Sequence, residues 1–318
     1  MSFSDLSDEI RCSLVSVVIT TYKRDVQYVK EALDSVLAQT YPNIEVVVVD
    51  DNGCENEFSK TIQMLCTGCD NVHYFRNENN IGAQRSRNVG ISMSSGDFIA
   101  FLDDDDIWVP EKIEKQMALF VDPGVGMIYC DGWSFNDGDM DDTWEFREAS
   151  LFDVPISHEL ELFNDYIGST SQALIRRECF DRVGLFDPEM PARQDYEMWL
   201  RISREYKIVG VPERLIYYRK HPGERISTNW KKCRDSYRLV KVKYAEDYAL
   251  YNYARAKLIL RLFDCSIKLR DYGQALKYFA QAFVASPACV IGVIDRRVRH
   301  VPFSNYYTKE KLFKVLHL

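Results

Sequence analysis

The chain has 318 residues, 46% hydrophobic and 28% charged, the balance of a globular protein with one large or about two smaller domains. Its net charge of −8 divides unevenly: residues 1–230 hold 22 basic and 41 acidic side chains, residues 231–318 hold 18 and 7. The acidic body repels phosphates and argues against a nucleic-acid partner. Its longest apolar runs, such as Val46–Val49 and Phe98–Leu102, are too short to span a bilayer, and the polar MSFSDLSDEIRCS start is unlike a signal peptide.

Taken in order, the first half alternates strand and helix signals. Leu14–Ile19 reads as a buried strand ending at Thr20-Thr21. Val26, Val29, Leu33, Val36 and Leu37 follow at helical spacing and stop at Tyr41-Pro42. Ile44–Val49 is a second strand running into Asp50-Asp51-Asn52-Gly53. A helix over Glu57–Leu65, a strand over Val72–Phe75, a helix over Gln84–Met93 and a strand over Phe98–Leu102 come next. That strand leads into Asp103–Asp106, and Pro110 opens a further helix. The pattern predicts a mostly parallel, doubly wound α/β sheet whose site lies beyond the carboxyl ends of its strands.

The middle is less regular. Val125–Tyr129, Thr170–Ile175 and Lys207–Val211 read as strands, Asn136–Asp142 as an exposed loop, and Asp195–Arg204 as a helix. Beyond residue 226 the chain is helical, with one long helix expected over Tyr237–Phe263 and another around Tyr272–Phe279. Nine scattered cysteines argue for a reducing compartment rather than a disulfide framework, and Cys66-x-x-Cys69 stands alone without a second zinc-spaced pair.

Four adjacent carboxylates at Asp103–Asp106 repel one another and need solvent or a cation. In an extended segment Asp103 and Asp105 share a face and can converge on one divalent ion, which would draw its other ligands from water and phosphates. Asp51, beside Asp50, can accept hydrogen bonds from a base or ribose, although the same residues read as a strand-end turn. Neither G-x-G-x-x-G nor G-x-x-x-x-G-K-[ST] is present, so a bound diphosphate needs a metal and basic side chains. Arg85, Arg87, Arg219, Lys220 and His221 are candidates. Asp195, at the start of its helix, is either a first-turn acid or a general base.

Together these segments resemble the inverting family-2 glycosyltransferases of GT-A fold, over residues 13–225. The resemblance rests on Val15–Tyr22, Val47–Asp51, Asn80–Gly90, Gly96–Pro110, and Val183–Asp187 followed by Asp195–Arg201. It implies that Thr20, Tyr22, Asp50, Asp51 and Arg87 hold the nucleotide with Asp104. It implies that Asp103, Asp105 and, more distantly, His221 bind Mn2+ or Mg2+, and that Asp195 is the catalytic base. Gln194 stands where the family often has Glu, and Ser86 where it often has Ala.

The implied reaction transfers sugar from a nucleotide-sugar donor, a UDP-sugar foremost, to a glycan or lipid-linked oligosaccharide, in the setting of bacterial surface polysaccharide synthesis. A sugar-1-phosphate nucleotidyltransferase would need a Gly-rich loop after the first strand, and Thr20-Thr21-Tyr22-Lys23-Arg24 lacks one. A non-catalytic binding module of the same fold would have no need of the intact aspartates. Residues 1–12 form a tail and 226–318 a basic helical region. Arg296, Arg297, Arg299, Lys309, Lys311 and Lys314 alternate with apolar residues, so 295–318 is expected to touch the inner face of the plasma membrane from a cytoplasmic location. A cap on the catalytic domain or a homodimer contact are the other uses of that segment.

Overall fold

A computed structural model describes residue 10 and residues 12–53, 56–145, 155–221 and 228–299. Strands β1 (Val15–Thr21), β2 (Ile44–Asp50), β3 (Val72–Arg76) and β4 (Phe98–Asp103) lie parallel in the order 3-2-1-4. The sheet continues through β5 (Ile107–Trp108), β6 (Val125–Asn136), β7 (Asp139–Glu145), β8 (Leu174–Arg176) and β9 (Lys207–Lys220). The full order is 3-2-1-4-8-6-9-5, with β7 attached to β6. β8 is antiparallel to both β4 and β6, β6 is parallel to β9, and β5 is antiparallel to β9. This is the mostly parallel α/β sheet expected.

The strands form because their side chains alternate between two apolar layers. Val15, Val17 and Ile19 face Val46, Val48 and helix α1 (Val26–Leu37), whose Val29, Leu33 and Val36 are buried. Val18, Val47 and Phe101 face the opposite layer. Helix α2 (Glu57–Leu65) covers the first layer through Ile62, and α3 (Ala83–Met93) covers the second. Gly90 of α3 sits so close to β1 that a Cβ there would lie 2.2 Å from Val18 Cγ1. That glycine sets the helix-to-sheet distance.

The short helices α4 (Lys112–Met117), α5 (His158–Phe163) and α6 (Arg177–Val183) precede α7 (Gln194–Glu205). The C-terminal region is α8 (Trp230–Lys243), α9 (Ala245–Leu250), α10 (Asn252–Lys268), α11 (Tyr272–Ala285) and α12 (Pro287–Val298). The single helix expected over Tyr237–Phe263 is therefore three, broken at Tyr244 and Tyr251, whose backbones leave the helical region. Asn136–Asp142 is a tight hairpin rather than a loop, because Asp137-Gly138 turns with Gly138 at φ +85° and β7 pairs back onto β6. Thr170–Gln172 is a 3-10 turn, and only Leu174–Arg176 of that segment is strand. One continuous apolar cluster runs from Val18 in β1 to Val293 in α12.

Candidate functional site

The register brings three strand ends level. Thr20 of β1 pairs with Asp103 of β4, Thr21 pairs with Asp50 of β2, and the Asp51 amide donates to the Thr21 carbonyl at 2.8 Å. Beyond them opens a cavity of about 500 Å³. Its walls include Thr20, Tyr22, Asp51, Arg87, Asp103, Asp104, Asp105, Asp195 and His221. Nine of the ten site residues read from the sequence therefore line one cavity, and Asp50 is the exception. Its carboxylate faces away, accepting from the Tyr74 hydroxyl at 2.7 Å and from the Asn52 amide groups. The nucleotide role expected of Asp50 is corrected to a role in shaping the turn.

Asp51 is 3% exposed and fully engaged. One oxygen accepts from the Ile81 amide and Asn77 Nδ2, the other from the Gly82 amide and Asn80 Nδ2, all at 2.8–2.9 Å. This carboxylate ties the Asn77–Gly82 loop to the end of β2. It thereby fixes the start of α3, where Gly82 takes φ +88°. Arg87, one turn into α3, reaches Asp103 with Nη2 at 2.6 Å. Its Nη1 is buried without a hydrogen-bond partner, an unsatisfied cationic donor at the wall of the cavity.

The acidic run is a turn, closed by the Asp106 amide on the Asp103 carbonyl at 3.0 Å, and not an extended segment. The shared face expected of Asp103 and Asp105 is therefore not formed. Asp103 meets Arg87 and the Thr170 hydroxyl. Asp106 turns inward to Ser171 Oγ at 2.6 Å and anchors the turn. Asp104 and Asp105 meet Arg24, at 2.9 and 3.1 Å, and Asp105 also meets His221 Nε2 at 3.0 Å. Burial is the main cause that raises the carboxyls of Asp104, Asp105 and Asp106 above the usual range, and Arg24 pulls the first two back.

Asp105 and His221 offer one carboxylate oxygen and one imidazole nitrogen to the cavity. That pair suits a Mn2+ or Mg2+ ion that completes its shell from a diphosphate and water. Among the described residues no three His, Cys, Asp or Glu side chains gather into a ligating cluster. The Arg24 guanidinium stands against both groups and has to withdraw for an ion to enter.

Asp195 lines the same cavity from the first turn of α7, which follows Arg193 at φ +55°. Its Oδ1 accepts from the Tyr196 amide at 2.8 Å. Burial, and after it the nearby Asp165, raises its carboxyl above the ordinary value, while Arg193 and Arg87 act against them. Of the five basic candidates, Arg87 and His221 line the cavity. Arg219 is pinned by Glu31, Asp137 and the Asp105 carbonyl, Lys220 stacks on Trp144, and Arg85 is exposed outside it.

Sequence reading missed Arg24, Asn80, Thr170, Arg193 and Lys232, all of which line the cavity. Arg24 carried a signal, since four carboxylates in a fold call for a counter-charge. Asn80 and Arg193 had neighbours that pointed to them, the Asn80–Gly90 segment and Asp195, while Thr170 and Lys232 carried no signal, because long-range packing brings them in.

Residues 16–184 match the family described as Glycosyl transferase family 2, and residues 135–285 match Glycosyltransferase like family 2. An uncharacterized glycosyltransferase of Rickettsia prowazekii is 33% identical over 235 residues, covering 70% of this chain and 69% of that protein. Another, of Rickettsia felis, is 33% identical over 233 residues, covering 70% of this chain, and here the chain spans only 37% of its relative's length. The structure is similar to S. aureus TarS 1–349 solved with UDP-GlcNAc, at a TM-score of 0.66 and 20% identity over 95% of this chain and 91% of that one. The likeness to TarS shows a GT-A fold. With more than half of its length matched, this chain belongs to glycosyl transferase family 2.

Proposed function

We propose that the chain is an inverting glycosyltransferase that moves a sugar from a nucleoside-diphosphate donor to a hydroxyl of a glycan or lipid-linked oligosaccharide. One observation carries the reading: Asp195, the acidic turn and Arg87, which pairs with Asp103 through Nη2 and keeps Nη1 without a partner, line a single cavity from separate elements. Inversion requires the attacking oxygen and the leaving diphosphate on opposite sides of the anomeric carbon. A base on α7 and the charged groups of β4 and α3 meet that requirement from separate elements.

In this reading Thr20 and Tyr22 receive the nucleoside beside Asp51, whose hydrogen bonds hold the receiving loop in shape. UDP is the favoured nucleotide because TarS, of the same fold, was solved with UDP-GlcNAc. Arg87 Nη1 donates to the diphosphate. A Mn2+ or Mg2+ ion held by Asp105 and His221 would supply further positive charge to the leaving group. Asp195 takes the proton of the acceptor hydroxyl as its oxygen attacks, and the raised carboxyl suits that task by bringing the base toward the operating pH. Assembly of a bacterial surface polysaccharide is the setting this chemistry serves.

The test is nucleotide release from a panel of UDP-sugars with and without acceptor. Wild-type kcat/KM should fall on an acid limb above the ordinary carboxylate range, because the base must be deprotonated and its carboxyl is raised. Asp195→Asn should lose ~10²–10⁴-fold in turnover and keep its donor affinity. Near-normal turnover in that variant removes the assignment.

A further inference from the structure

The last two helices bury one stripe of side chains and leave a second one bare. In α11 the buried residues are Ala275, Tyr278 and Ala282, and in α12 they are Cys289, Val290 and Val293. On the opposite side Leu276, Phe283 and Val284 lead into Ile291, Ile294 and Val298, and all six are exposed, Val284 at 84% and Val298 at 71%. In α12 Ile291, Ile294 and Val298 recur at three, four and seven residues, the spacing of one helical face, and in α11 Phe283 follows Leu276 by seven residues with Val284 beside it. A helix that is apolar on two faces needs a cover for each, and the protein core supplies only one.

Two features of the chain identify the second cover. The first is composition and shape. Among the described residues no single helix is long and apolar enough to cross a membrane, but Tyr272–Ala285 and Pro287–Val298 together are, and they bend by 118° at their junction. A pair bent so sharply does not pass through a membrane as one rod, and its exposed apolar side chains can instead meet an apolar boundary. The second is charge. Residues 231–318 carry 18 basic and 7 acidic side chains against the strongly acidic remainder, and Arg296, Arg297 and Arg299 close α12 beside Val298. Arg297 and Arg299 are held by Asp264 and Asp295 at 2.7 and 2.6 Å, in exposed pairs that exchange readily with other anions.

We propose that this face of α11 and α12 is a docking surface for an anionic lipid bilayer. The six exposed apolar side chains enter the headgroup–acyl boundary, and the arginines ending α12 meet lipid phosphates. The acidic body is repelled by the same surface, so the dipolar charge of the chain orients it with its C-terminal helices toward the membrane. The surface lies outside the nucleotide cavity, and it stands or falls independently of the transfer reaction.

Co-sedimentation of the full chain with phosphatidylcholine vesicles, with and without phosphatidylglycerol, tests this at low and at physiological salt. Pelleting should require the anionic lipid and weaken with salt. Combined Leu276→Gln, Val284→Gln, Ile291→Gln and Ile294→Gln should lower the partition coefficient at least ~10-fold. All four side chains are exposed, so the variant should melt where the wild type does. No pelleting by the wild type, or equal pelleting by the variant, overturns the proposal. A concentration-dependent dimer that the variant abolishes assigns the face to a second copy and also overturns it. So does faster proteolytic release of residues 300–318 from the vesicle-free variant, which assigns the face to the chain's own C-terminal segment.

Discussion

Arg24 is the residue on which the charge balance of the cavity turns. It brings one guanidinium to Asp104, Asp105 and His221 Nε2, and keeps a quarter of its side chain in contact with solvent. On the proposed function, a donor diphosphate would bring more negative charge into the same space and make a second cation favourable there, and Arg24 would exchange the carboxylates for solvent or the diphosphate. Arg24→Ala should leave two crowded carboxylates without their counter-charge. Losing one member of a buried pair costs ~3–5 kcal/mol, and the partial exposure of Arg24 reduces the expected loss to ~1–3 kcal/mol. Thermal melting should show the variant less stable without metal, with Mn2+ restoring it by more than it stabilises the wild type. An equal Mn2+ response in both proteins would mean that arginine and ion do not compete.

Helix α7 shows how a short segment carries both chemistry and structure. Its first turn presents Asp195. Two residues on, in the same turn, Glu197 is fully buried and accepts from Lys243 Nζ at 2.7 Å at the end of α8, from Tyr244 OH at 3.0 Å just beyond it, and from Arg201 at 2.9 and 3.1 Å in its own helix. Arg201 also donates to the Val183, Gly184 and Leu185 carbonyls, closing the end of α6. The buried carboxylate thus ties down the helix whose first turn brings Asp195 to the cavity. Glu197→Ala should strand two cations and cost ~2–4 kcal/mol, toward the low side of a buried pair because Lys243 is partly exposed. Denaturant unfolding reads the stability loss. A variant as stable as the wild type would make the network ornamental.

The same helix marks what sequence alone can show. The elements of β1–α1–β2–α2–β3–α3–β4 were legible because each strand is a continuous apolar run and each helix a periodic one. Asp195 was legible from its place before such a helix. The contrasting fates of Asp50 and Asp51 were not, since adjacent strand-end carboxylates point to opposite faces, and only Tyr74 and the Asn77–Gly82 loop reveal which faces the cavity. Nor was the turn at Asp103–Asp106, which depends on Ser171 reaching Asp106 from a distant segment. The breaks at Tyr244 and Tyr251 were equally hidden, because aromatic residues are compatible with a helix until packing pulls their rings elsewhere.

At the scale of the whole molecule, the sequence divides near residue 226 by charge and periodicity, while the core does not. Tyr196 of α7 meets Tyr248 of α9 through their hydroxyls at 3.1 Å, so that one donates to the other and the second donates to a carbonyl at the end of α5, where Glu161 O and Leu162 O lie within reach. Arg261 of α10 extends into this aromatic cluster, 5.0 Å from the Tyr196 ring and 5.6 Å from the Tyr237 ring, and reaches Asn164 Oδ1 at 3.2 Å. The C-terminal helices thus complete an apolar layer that reaches Tyr196, one residue from Asp195. A chain whose two regions share buried contacts of this kind should unfold as one unit, because neither part retains its core without the other. Heating the full chain should therefore give a single transition, coincident by far-ultraviolet circular dichroism and tryptophan fluorescence. Arg261→Met keeps the stem but removes the cation over the rings and the bond to Asn164. It should lower that transition by ~1–3 kcal/mol without splitting it. Two resolved transitions, with only the later helices moved by the substitution, would show that the region after residue 226 folds for itself and merely rests on the sheet.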